Sequence, residues 1–135
     1  GFSPDEFPGC SIEGGDNGFS LSFGACTIPV PAHKAEKAPL ANYAGKGVVF
    51  GIRPEDVHDE DEFLRKVGGP HAVCCVEVTE MMGAEAYLYL QCEGRELTAR
   101  VGASSAVRAG DHCPIAFDLE KMHIFDQATG AAILH

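Results

Sequence analysis

A chain of 135 residues with 45% apolar content has room for one ordinary domain, or for two very small ones sharing a core. Its formal net charge of −10 opposes both a nucleic-acid backbone and an anionic lipid surface, so those partners are excluded first. No apolar run approaches the ~20 residues that a membrane-crossing helix needs, and no basic start followed by an apolar core marks a secretory signal.

The 16 Gly and 8 Pro are scattered among short apolar runs, the pattern of a β-rich fold with many turns. The first residues, "GFSPDEFPG", do not begin with Met and read as the interior of something longer, so a fragment is expected. Ser11-Ile12-Glu13 is a short strand, and Gly14 to Gly18 is a turn. Phe19, Leu21 and Phe23 alternate with Ser20 and Ser22, the period of a half-buried strand, and Cys26 to Val30 runs back. Residues 31–46, "PAHKAEKAPLANYAGK", form a linker with a short helix from Leu40 to Ala44, entered at Pro39 and ended by Gly45. Val48, Phe50 and Ile52 then alternate with Val49, Gly51 and Arg53. Pro54 stops the strand because it has no N–H for the ladder, and Glu55-Asp56 suit a first helical turn. His58 to His71 is a polar excursion. Strands follow at Ala72–Met82, Ala84–Cys92, Arg95–Val101, His112–Phe117 and Met122–Phe125, with Ala131–Leu134 pairing back. Glu93-Gly94 is the tight turn of a hairpin. Nine or ten short strands and almost no helix predict an all-β barrel or sandwich.

Little here resembles a reaction centre. The 6 Cys include no Cys-x-x-Cys pair, and most lie in or beside strands, where a reduced thiol acts as a small apolar side chain. Cys74 and Cys75 are strand neighbours and point to opposite faces, which disfavours a redox pair. His58-Asp59-Glu60-Asp61-Glu62 is the most metal-like run. Five adjacent side chains diverge rather than converge, so it reads as a solvated acidic loop. Of the 6 His, His123 lies beside Ile124 and Phe125 and reads as a hydrogen-bonded structural histidine. Glu77 faces solvent. Glu80 and Glu85 flank the Met81-Met82-Gly83 corner, where either can meet Arg53. Residue chemistry alone leads to an acidic all-β module with no catalytic or metal-ligating set.

Five stretches together resemble one family. "VVFGIRPEDV" looks like the Gly-Ile-Arg-Pro-Glu signature of the C-terminal regulatory domain of ABC importer ATP-binding subunits, in the maltose and multiple-sugar branch. "VEVTEMMGAEAYLYL" is similar to that family's strand-corner-strand, and "RELTARV" to the strand that follows. "FDLEKMHIFDQATGAAI" resembles its terminal element, and "GFSPDEFPGCSIEGG" its junction with the ATPase core. The sequence departs from the family at Asp5-Glu6-Phe7, where Met-Asn-Phe is common, and at Gln127, where Pro is common.

The resemblance implies an OB-like β-barrel of the transport-associated (TOBE) type, taken as one regulatory domain over residues 1–135. It implies no catalytic, cofactor or metal site in these residues, with ATP and Mg bound in a preceding core of the parent chain. The implied partners are a second copy of the subunit, membrane-spanning permease subunits reached through the parent, and a regulatory protein. The implied place is the cytoplasmic face of the cell membrane, within a sugar transporter. Candidate latch or interface residues are Arg53, Glu55, Glu80, Gly83, Glu85, His123, Phe125 and Asp126. In the latch reading Arg53 pairs with a carboxylate of the Met81-Met82-Gly83 corner. A small-oxyanion or small-ligand OB-like module is the alternative; it needs convergent N–H groups or positive charge, against a net charge of −10.

Overall fold

The structure is a computed structural model that describes residues 5–15, 18–105 and 107–135. Asp16 and Asn17, in the predicted turn, and residues 1–4 of the junction motif lie outside the described residues. Two compact units emerge: residues 1–52 with 119–135, and residues 53–118. Eleven strands are seen among the described residues, so the all-β expectation holds.

The first unit is a six-stranded sheet in the order β11-β10-β4-β1-β2-β3. Its strands are β1 (Glu6–Gly15), β2 (Gly18–Phe23), β3 (Cys26–Pro29), β4 (Gly47–Gly51), β10 (His123–Asp126) and β11 (Ala132–Leu134). The predicted alternation in β2 buries Leu21 and Phe23, with Leu21 opposite Ile12 on one side and Ile28 on the other. Phe7 meets Phe23 edge-on at 4.8 Å, and Phe23 stacks on Phe50 at 6.4 Å. These rings, with Leu40, Met122 and Ile124, form the core of the unit. β4 does not alternate: Val48, Val49 and Phe50 are all buried. It is an interior strand between β1 and β10, and both its faces are covered.

The connection 31–46 holds a helical turn α1 (Ala32–Ala35), and the helix predicted at Leu40 is a 3₁₀ turn, Leu40–Tyr43. Leu40 is its single buried residue, so one side chain anchors the segment.

The second unit is a five-stranded antiparallel sheet, β5-β9-β6-β7-β8. Its strands are β5 (Val57–His58), β6 (Ala72–Met82), β7 (Glu85–Cys92), β8 (Arg95–Gly102) and β9 (His112–Phe117). β5 at one edge lies against β8 at the other, so the sheet curls into a nearly closed barrel. Ala86, Leu88, Leu90 and Cys92 point inward along β7, and Leu97, Ala99 and Val101 along β8, with the period of two that strand geometry requires. Phe50 and Ile52 are buried in the first unit and Leu88 in the second.

Glu93 and Gly94 both take positive φ, 52° and 76°, and close the predicted β7–β8 hairpin. β6 shifts register between Val76 and Val78, and beyond that bulge Val78 is exposed although Val76 is buried. Pro54 opens a 3₁₀ turn, Pro54–Asp56, with Glu55 and Asp56 in its first turn, as the sequence predicts. The polar excursion also holds a short helix that the sequence reading lacks, α2 (Asp61–Lys66). It has acidic residues in its first turn, basic ones in its last and no buried residue.

Candidate functional site

The 3₁₀ turn Pro54–Asp56 brings the predicted Arg-Pro-Glu corner into the second unit, beside β8. The latch pairing takes a different form there. Arg53 is exposed, and the carboxylate of Glu85 is held by Arg100, Nε to Oε2 3.1 Å. Arg100 lies opposite Tyr87 in the β7–β8 register. A hydrogen bond with Tyr87, then the charge of Glu85 and that of Glu55, raise the guanidinium above its ordinary value. Glu55 of the corner thus acts on Arg100 through its charge, and no spacing rule in the sequence connects the position of Arg100 on β8 with residue 55. Glu80 faces Tyr87 across the β6–β7 pair and is exposed, and Gly83 sits at the exposed hairpin tip.

Glu55, His58, Asp59, Glu85, Arg100 and Ser105 line part of an open depression of about 620 Å³. His58 stacks on Phe63 at 3.9 Å, and its Nδ1 lies 3.1 Å from Glu60 Oε1. The Ser105 hydroxyl donates to Asp59 at 2.7 Å. Asp59 and Glu60 of the acidic run thus have protein partners, and among the described residues no three His, Cys, Asp or Glu side chains converge to hold a metal ion.

His71 is a structural residue that sequence reasoning missed. Its Nδ1 accepts the Phe117 N–H at 2.9 Å, and its ring lies parallel to that of Phe117 at 5.8 Å. Burial lowers its pKa, which keeps Nδ1 free to accept. The flanking Gly-Gly-Pro carries no signal for this role. Cys74 is buried and Cys75 half-buried, in line with opposite faces; burial, then Asp59 and Asp111, push the Cys113 thiol up to about 11.

In the first unit Asp126 closes the β10–β11 hairpin. Its Oδ1 accepts the N–H groups of Ala128 at 2.8 Å and Thr129 at 3.1 Å. These bonds, that of Thr129 foremost, with the Tyr43 hydroxyl, hold its carboxyl below the usual range. Gln127 accepts the Gly9 N–H at 2.9 Å, a bond that a Pro side chain at this position lacks the oxygen to make. His123 and Phe125 are half-buried and stack on one another at 6.2 Å.

Two family models match: the MalK OB fold domain over residues 7–57 and the TOBE domain over residues 50–125. The chain belongs to the TOBE domain family. Both matches take in residues 50–57, the corner that the sequence singles out. This TOBE chain is 34% identical over 113 residues to the oligosaccharides import ATP-binding protein MsmX of Bacillus subtilis (strain 168), covering 84% of the chain and 31% of that protein. It is 34% identical over 119 residues to the trehalose/maltose import ATP-binding protein MalK of Thermococcus litoralis, covering 87% and 32%. The chain thus spans about a third of the length of these relatives. Among solved structures, the cytoplasmic molybdate-binding protein ModG aligns with a TM-score of 0.58 at 16% identity, over 88% of this chain and 93% of that one. At that identity the likeness is one of fold.

Proposed function

We propose that these residues are the regulatory and subunit-pairing region of the ATP-binding subunit of a carbohydrate-type ABC importer. The observation that carries the reading is the match to import ATP-binding proteins over 84–87% of this chain and 31–32% of theirs. ATP and Mg belong, in this reading, to the remainder of such a subunit, and so does the contact with permease subunits at the inner face of the membrane. In this reading the TOBE region binds a second copy of the subunit and receives a regulator. Its exposed hairpin tip suits such a role: Glu80, Gly83 and Glu85 stand beside Met81 and Met82, which are 59% and 53% exposed. Arg100, paired with Glu85, lies on β8 next to that hairpin, within the influence of the Glu55 charge.

The test is sugar uptake in cells lacking their own ATP-binding subunit. They are complemented by a complete ATP-binding subunit with or without this region, and pairing is followed by light scattering. Removal should abolish regulated uptake and weaken pairing. Uptake and pairing that both survive removal overturn the proposal.

A further inference from the structure

We propose that His123 and His135 form a two-histidine chelate for a borderline transition-metal ion of the zinc class. Their Nδ1 atoms lie 3.2 Å apart, with the rings crossing at 73°. For a tetrahedral ion with metal–nitrogen bonds of about 2.0–2.1 Å, two ligand nitrogens lie about 3.3–3.4 Å apart. The separation is close to a chelate bite, and in the metal-free chain one Nδ1 donates to the other across it, so a metal ion would replace that hydrogen bond and the donor ring would take its proton on Nε2. A neutral imidazole ligates without losing a proton, because its ring proton resides on Nε2 when Nδ1 binds.

One hairpin places both rings. β10 sets His123 opposite Gly51, and the pairing of Ile124 with Leu134 places His135 directly after β11. β4 approaches so closely that a Cβ on Gly51 would lie 3.2 Å from the His123 Cβ. Phe125 stacks on the His123 ring. His123, held this way, loses little freedom on binding, which favours the complex.

An all-nitrogen donor pair selects zinc, nickel or copper over magnesium or calcium, which prefer oxygen. His135 also lines an open depression of about 370 Å³ with His33, Lys34, Lys37 and Glu120, so solvent can complete the shell. His33 is already engaged by Glu120 at 2.6 Å. Among the described residues no third such side chain converges with the pair. With two protein ligands and two ammonium groups nearby, the site is a weak, exchangeable one rather than a structural zinc.

Zinc chloride titrated calorimetrically into the full chain, with magnesium chloride as the second probe, tests this. One saturable zinc per chain and no magnesium binding are expected at this site. His135→Ala should weaken zinc at least about tenfold; the exposed position makes loss of folding an unsuitable explanation, and circular dichroism checks it. The imidazole NMR signals of His123 and His135 should shift together. His112→Ala, an exposed histidine on β9, should change nothing. No saturable zinc binding, equal affinity in His135→Ala, or an equal loss in His112→Ala overturns the proposal.

Discussion

Gly51→Ala tests the packing of β4 against β10 directly. An added Cβ would lie 2.8 Å from Phe125 Cε2 and 3.2 Å from His123 Cβ. The Phe125 ring is half-buried and can swing, but the His123 Cβ is fixed by its strand backbone. Gly51 has no positive φ, so the cost is steric rather than conformational. Overpacking of this kind costs about 1–3 kcal/mol, and the mobility of Phe125 places the expected value in the lower half of that range. Each kcal/mol lowers Tm by about 2–8 °C in domains of this general size. Urea denaturation reads the effect as a lower midpoint at unchanged slope. Phe125→Leu removes the nearer clash, so a double-mutant cycle should show a favourable coupling of about 0.5–1.5 kcal/mol. A Gly51→Ala midpoint equal to that of the parent, or a zero coupling, refutes the packing argument.

His71 should make the second unit sensitive to mild acid. Its folded pKa lies below the ordinary 6.5, so its contribution is complete above that value and is lost as pH falls through the folded pKa. Urea melts between about pH 5 and pH 8 should show this slope, and His71→Asn should flatten it; an unchanged slope in the variant removes His71 as the cause. Arg100→Ala should lower stability at low salt by an amount that fades as salt rises, because the Glu85 pair is largely exposed. Arg53→Ala, at an exposed position, should be nearly silent. Thermal melts of the two variants at low and high salt decide between them, and a larger loss from Arg53→Ala restores the Arg53 latch.

Local chemistry made much of the fold legible. Phe19, Leu21 and Phe23 announce β2 by their period, Glu93-Gly94 announces its hairpin, and Pro54 ends a ladder wherever it stands. The family resemblance was legible too, because it rests on the order of motifs along the chain, which Phe50 to Phe125 preserve. Helix α2 escaped because it buries no residue and so leaves no apolar stripe to read. The burial of Val49 escaped because whether a strand is interior depends on its neighbours in the sheet.

The sequence by itself determined the all-β class, most strand positions, the stop at Pro54 and the acidic surface, because each depends on a residue and its near neighbours. Only the tertiary structure decided that Arg100 rather than Arg53 holds Glu85, that His71 caps the Phe117 amide, and that His123 meets His135. Those partners are 15, 46 and 12 positions apart. Pairing at such range follows from strand register and chain closure, which one position of slip would turn to the opposite face.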